Sequence, residues 1–190
     1  MRSWSPYALL VVAAIALDQW IKHLVETGLP FQEKVDLVPF LALFRTYNTG
    51  IAFSMFSSFG DTGLVVIAVL VVAFVLYLAT RTPSGHVIAR TGFALIIGGA
   101  LGNLIDRAVY GHVIDYILFH TPVWSFAVFN LADAFISVGA ALVVFDELIG
   151  WRREPKSSNA KSSNAESSNA ESSNAESSNA ESSNAKPSKD

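Results

Sequence analysis

Four long apolar stretches dominate the first 150 positions: about Tyr7 to Val25, Gly63 to Ala79, Thr91 to Arg107 and Phe126 to Ile149. A helix needs about 20 mostly apolar residues to cross a hydrocarbon core of about 30 Å, because each residue advances it by about 1.5 Å. The expected fold class is therefore a membrane all-α four-helix transmembrane bundle. The first stretch follows Arg2, but Asp18 and Lys22 stand where a leader would carry a small-residue cleavage site, so an uncleaved anchor is expected.

Basic residues set the direction of the spans. Arg2 precedes the first, Arg81 and Arg90 flank the short loop after the second, and Arg152, Arg153 and Lys156 follow the fourth. All fall on one side if both termini are cytoplasmic. Residues 26–62 are then extracytoplasmic, and they are too many for a structureless connection. They contain Val35 to Val38 and Leu41 to Tyr47, broken at Pro39, and Asn48-Thr49-Gly50 before Ile51-Ala52-Phe53. Gly50 after two turn-prone residues reads as a three-residue hairpin loop, and a small extracytoplasmic β-sheet is expected.

Beyond the spans the chain repeats Ser-Ser-Asn-Ala six times, separated by Lys or Glu. A period of five suits neither helix nor strand, and the unit has nothing with which to build a core, so a disordered low-complexity tail is expected. The expected domains are a transmembrane domain over residues 1–153 and the tail over 154–190.

Composition removes several chemistries. The absence of cysteine excludes disulfides, thiolate metal sites and a cysteine nucleophile. His23, His86, His112 and His120 have no metal-ligand spacing, and no Ser lies in a G-x-S-x-G elbow. No metal or cofactor is expected, and any hydrolysis falls to carboxylates. A net charge of −3 gives no reason to expect nucleic-acid binding.

Charged groups inside spans cost roughly 2.5 to 3.5 kcal/mol each on insertion, which makes them candidates for function. Asp18 and Lys22 are four apart on one helical face; Asn103, Asp106 and Arg107 share another; Asn130, Asp133 and Ser137 repeat the pattern at the start of the fourth span. With the orientation above, these groups and Asn48 and Asp115 all come to one depth near the outer face. Each also has a structural reading. Asp18 and Lys22 could be an ion pair with a snorkelling lysine. Asn103, Asp106 and Arg107 could lock the third helix to its loop. Asn130 could cap a helix with Asp133 in its first turn. Asp115 is harder to account for, since it interrupts the apolar run Val113 to Phe119. Gly98, Gly99 and Gly102 permit close helix approach, which is packing.

The runs Asn48-Thr49-Gly50-Ile51-Ala52-Phe53-Ser54, Gly98 to Arg107, Gly111-His112-Val113-Ile114-Asp115-Tyr116 and Phe129-Asn130-Leu131-Ala132-Asp133, with the earlier Asp18-x-x-x-Lys22, resemble bacterial lipoprotein signal peptidase, or signal peptidase II. The resemblance spans about residues 7 to 150 and leaves out the repeats. It implies an aspartic endopeptidase of the bacterial cytoplasmic membrane that removes signal peptides from prolipoproteins, cutting before a cysteine modified with diacylglycerol. Asp115 and Asp133 match its catalytic pair. Asp18, Lys22, Asn48, Asn103, Asp106, Arg107 and Asn130 match positions that shape or support the site. Expected partners are diacylglyceryl-prolipoproteins and membrane lipids, with the chain monomeric. The rival class, a carrier using intramembrane carboxylates, is disfavoured by polar groups gathered at one edge instead of the midplane.

Overall fold

The computed structural model describes residues 4–50 and 60–153. It contains four long helices: α1 (Ser5–Gly28), α2 (Gly60–Arg81), α3 (Val87–Tyr110) and α4 (Leu131–Arg153). Between them lie strands β1 (Lys34–Val38), β2 (Leu41–Asn48), β3 (Val113–Thr121) and β4 (Trp124–Ser125), which form one antiparallel sheet in the order β1-β2-β3-β4. Among the described residues, α1 and α3 are long and apolar enough to cross a membrane, whereas the apolar run of α2, Val65–Arg81, is shorter.

α1 begins with Pro6 in its first turn, where the missing N–H has no partner to lose. α3 is the central helix, packed against both α1 and α2. Val75, Ala79, Ala89, Phe93 and Ile97 form its buried core with α2. Glycines set the spacing around α3. A methyl on Gly92 would come within 2.5 Å of the Gly139 carbonyl, and one on Gly98 within 2.8 Å of Ala14 Cβ. One on Gly99 would collide with the Ala132 carbonyl oxygen. These contacts bring α1 and α4 against the same helix.

α3 ends at Gly111, whose φ of 75° is a left-handed conformation open to glycine at little cost, and whose N–H returns to the Arg107 carbonyl at 3.1 Å. Only Gly111 and His112 then separate α3 from β3. The sheet is thereby joined to the end of the central helix.

The fourth helix starts later than its hydropathy predicts. Phe126 to Phe129 belong to the sheet side: Phe126 N–H bonds to Phe119 O at 2.8 Å, and Phe129 bridges Ile117. Apolar character alone does not distinguish such an extended segment from a helix, and the break falls at Asn130, a strong helix-starting residue. Tight turns between described strands lie at Pro39-Phe40 and at Pro122-Val123. Gly50 does adopt a turn conformation, with φ 85° and its N–H on Asn48 Oδ1 at 2.8 Å. The returning segment Ile51-Ala52-Phe53-Ser54 lies outside the described residues, as do Arg2 and the repeats over 154–190.

Candidate active site

α4 enters the site through an unusually complete first turn. The first N–H groups of a helix lack partners within the helix. Here each finds a side-chain oxygen. Asp133 N–H bonds to Asn130 Oδ1 at 3.0 Å, and Asp133 Oδ2 accepts the Asn130 N–H at 3.2 Å, a reciprocal capping pair. Leu131 N–H bonds to the Tyr116 hydroxyl oxygen at 3.2 Å, and Ala132 N–H to Asp18 Oδ1 at 3.0 Å. The helix turn that carries Asp133 is therefore fixed by its own cap, by β3 and by α1.

Asp115 stands in β3 opposite Thr46 of β2. It is 2% exposed, while Asp133 is half-buried. Asn130 Nδ2 donates to Asp115 Oδ1 at 2.7 Å, and Asn48 Nδ2 at the end of β2 donates to Oδ2 at 3.0 Å. Burial pushes the Asp115 carboxyl up to about 6, reinforced by the negative charge of Asp133. The two amide donors and the Lys22 ammonium act in the opposite sense, and burial outweighs them.

Asn103 of α3 completes the link. Its Nδ2 donates to Asp133 Oδ1 at 2.8 Å, and its Oδ1 accepts from Asn130 Nδ2 at 3.1 Å and from Lys22 Nζ at 2.8 Å. The two candidate carboxylates are thus joined through Asn130 and Asn103.

Beneath them lies a buried ionic group. Lys22 Nζ sits 2.8 Å from Asp18 Oδ2 and 2.7 Å from Asp106 Oδ2, with all three side chains at most 2% exposed. One ammonium shared by two buried carboxylates leaves an excess negative charge. Hydrogen bonds offset part of it: Gln19 Nε2 reaches Asp106 Oδ1 at 2.7 Å, and Ile114 N–H approaches Asp106 Oδ2 at 3.4 Å. Gly102 makes room for the group, since a methyl there would lie 2.6 Å from Asp18 Oδ2.

Of the residues singled out in the sequence, Asp18, Lys22, Asn48, Asn103, Asp106, Asn130, Asp115 and Asp133 therefore share one network. Arg107 does not reach the carboxylates. Its guanidinium donates at 3.4 Å to the carbonyl of Asn103 within its own helix. Sequence reasoning missed Gln19 and Tyr116. Gln19 left a signal, a second polar residue beside Asp18 inside an apolar span; Tyr116 left none, because tyrosine is at home in apolar runs. Among the described residues, no three His, Cys, Asp or Glu side chains gather into a metal-ligand set.

An apolar cavity of about 710 Å³ opens beside Asp133, walled by Phe119, Trp124, Phe126, Phe129 and Val138. It places greasy surface directly against a candidate catalytic carboxylate.

Comparison with known proteins shows the family of the chain. Residues 10–149 match the family model described as signal peptidase (SPase) II. The chain is 97% identical over 158 residues to the lipoprotein signal peptidase of Mesorhizobium japonicum, covering 83% of this chain and 94% of that protein. It is 58% identical over 145 residues to the lipoprotein signal peptidase of Brucella ovis, covering 76% and 91% respectively. Its fold is similar to a bacterial membrane enzyme solved by the in meso method at 2.3 Å, with TM-score 0.71, 24% identity and coverage of 80% of this chain and 93% of that one. A second such structure, at 1.9 Å, gives TM-score 0.69 and 26% identity over 76% of this chain and 93% of that one. A carboxylate-bearing membrane chain matched in sequence over nearly all of its helical part belongs to the signal peptidase II family.

Proposed function

We propose that Asp115 and Asp133 are the catalytic pair of an aspartic endopeptidase. As a member of the signal peptidase II family, the chain is a membrane enzyme that removes signal peptides from prolipoproteins. The observation that carries the assignment to these two residues is the amide link: Asn130 contacts both carboxylates, and Asn103 contacts Asp133 and Asn130.

Two nearby carboxylates resist simultaneous ionisation and share a proton. Asp115, buried and raised to about 6, keeps it. Asp133, whose two oxygens accept the Asn103 amide and the Asn130 N–H, takes a proton from a water held between the pair. That water attacks the scissile carbonyl while Asp115 hydrogen-bonds the carbonyl oxygen and stabilises the developing oxyanion. The lipid boundary limits water access and strengthens each of these interactions.

The substrate reading is a prolipoprotein whose cysteine carries diacylglycerol, cut on the N-terminal side of that cysteine. The apolar cavity against Asp133 suits a substrate whose flanking groups are themselves apolar. We read all four helices as spans. The support is the large apolar side chains left exposed on each of them, such as Leu9 on α1, Leu70 and Phe74 on α2, Val109 on α3, and Val144 and Leu148 on α4. With both termini cytoplasmic, the sheet and the dyad lie at the extracytoplasmic face, with exposed Trp20 and Trp124 near the interface. Residues 1–153 form the peptidase domain, to which the repeats over 154–190 do not belong, and the chain works as a monomer among membrane lipids. Arg107 supports the end of α3.

The test uses a diacylglyceryl-modified precursor and its unlipidated twin with purified protein, the cut site being read by mass spectrometry. Wild type cuts the lipidated form alone, and Asp115→Asn and Asp133→Asn each abolish cleavage while remaining folded. Processing at wild-type rate by either variant removes that residue from the pair.

A further inference from the structure

Arg90 presents a physical problem that the peptidase site does not use. It lies in the first turn of α3 and is 6% exposed. Its Nε and Nη2 donate to the Thr82 carbonyl at the end of α2, at 3.3 and 3.0 Å. Its Nη1 is buried without an acceptor, and among the described residues no carboxylate pairs with it. A helix-end carbonyl supplies only a partial negative charge, so the cation has no formal counter-charge among the described residues. Buried charges are normally paired, and at membrane depth an unpaired one is costly.

An apolar groove begins at Trp4 and Tyr7, the two rings that lie against this cation. It has a volume of about 510 Å³ and runs between α1, α2 and α3, past Tyr7, Val11, Leu76, Ala79, Phe93 and Ile97. Trp4 and Tyr7, which both line it, place their rings 4.1 and 5.9 Å from the Arg90 guanidinium carbon. Arg81, exposed at the end of α2 with its guanidinium over the Tyr77 ring, is a second positive charge at this end of the helices. A guanidinium lacking an anion, aromatic rings beside it and an apolar trough leading away together match the parts of one phospholipid.

We propose that this groove binds a glycerophospholipid, one acyl chain lying between α1, α2 and α3 and the phosphodiester neutralising Arg90. The phosphate supplies the acceptors that Nη1 lacks, with Arg81 and the Trp4 indole at headgroup depth. Because Trp4 covers one face of the guanidinium, the indole shifts outward as the phosphate arrives. The groove involves neither Asp115 nor Asp133, so the site is separate from the peptidase chemistry and stands or falls without it.

Native mass spectrometry of the purified full chain tests this, with dioleoyl phosphatidylglycerol and dioleoylglycerol as probes of identical chains. Wild type retains one phosphatidylglycerol and no dioleoylglycerol. Arg90→Met lowers phosphatidylglycerol retention at least five-fold. Ala8→Phe, which fills the groove from an exposed helix position and keeps Arg90, does the same, so the result does not depend on Arg90→Met folding. Cleavage of a lipidated precursor, measured alongside, stays at the wild-type level in Ala8→Phe. Equal phosphatidylglycerol retention in wild type and Ala8→Phe overturns the groove, and equal retention of dioleoylglycerol by wild type overturns the role of the phosphate.

Discussion

Asn130 donates its side-chain amide to Asp115 Oδ1 at 2.7 Å and, from the same residue, its backbone N–H to Asp133 Oδ2 at 3.2 Å. One residue therefore caps α4 and spaces the two carboxylates. The two duties separate by substitution. Asn130→Ser keeps a good helix cap but loses the amide, whereas Asn130→Ala loses both. We expect each to lower kcat about 100-fold, the scale of a misplaced reacting group. Both also lose stability with the buried amide, and Asn130→Ala should lose about 1 kcal/mol more than Asn130→Ser through the missing cap. Kinetics and thermal unfolding in detergent separate the effects.

Asp115 predicts a pH dependence of definite sign. Its folded carboxyl is raised to about 6 from 3.8, so between those values the folded chain holds a proton that the unfolded chain has released. Stability from this group is greatest at and below the lower value and falls as pH rises through the folded one. Activity that needs protonated Asp115 falls in the free enzyme as pH rises past about 6. The Asn48 amide favours the ionised form, so Asn48→Ala should move this alkaline limb upward. The profile of kcat/KM against pH measures it, and a downward shift would assign the proton to the other member.

Lys22 pairs with two buried carboxylates at once. Lys22→Met should cost roughly 3 to 5 kcal/mol, the range for breaking a buried ion pair by removing one partner. Adding Asp106→Asn removes one of the stranded charges and should recover part of the loss. If the double variant unfolds at the same temperature as Lys22→Met, the shared-cation description fails.

Tyr116→Phe deletes a single oxygen, leaving the Leu131 N–H at the start of α4 without its acceptor. The expected loss is about 1 to 3 kcal/mol, the cost of a stranded polar group. Tyr47→Phe, which removes an exposed hydroxyl from Glu26, should change stability far less. Parallel melting curves make the comparison.

The sequence disclosed polar residues well where polarity was expensive. Asp18, Lys22, Asn103, Asp106, Asn130 and Asp133 stand out because nothing apolar explains them, and helical spacing alone groups them into faces. Arg107 shared such a face without sharing the network, because a long side chain can turn back onto its own helix. The start of α4 was misplaced because Phe126 to Phe129 are as apolar as a span. The strand β3 and the pairing of Asp115 with Thr46 were hidden for a related reason: a strand covered on both sides loses the alternation that marks it. Tyr116 contributes through one hydroxyl whose partner is backbone, and backbone leaves no trace in side-chain patterns.

The reciprocal cap at the head of α4 has a consequence for biogenesis. Asp18, Lys22, Asn103 and Asp106 come from the first and third helices, whereas Asn130 and Asp133 belong to the fourth, the last that a ribosome delivers. A nascent chain lacking that segment has all three members of the buried ion group, but the oxygen of Asp18 awaits the Ala132 N–H and the amide of Asn103 awaits a carboxylate. With Asp115 and Asp133 as the proposed pair, a chain whose fourth helix has not docked lacks one of its two carboxylates, and a product truncated before that helix is expected to be inert towards its neighbours.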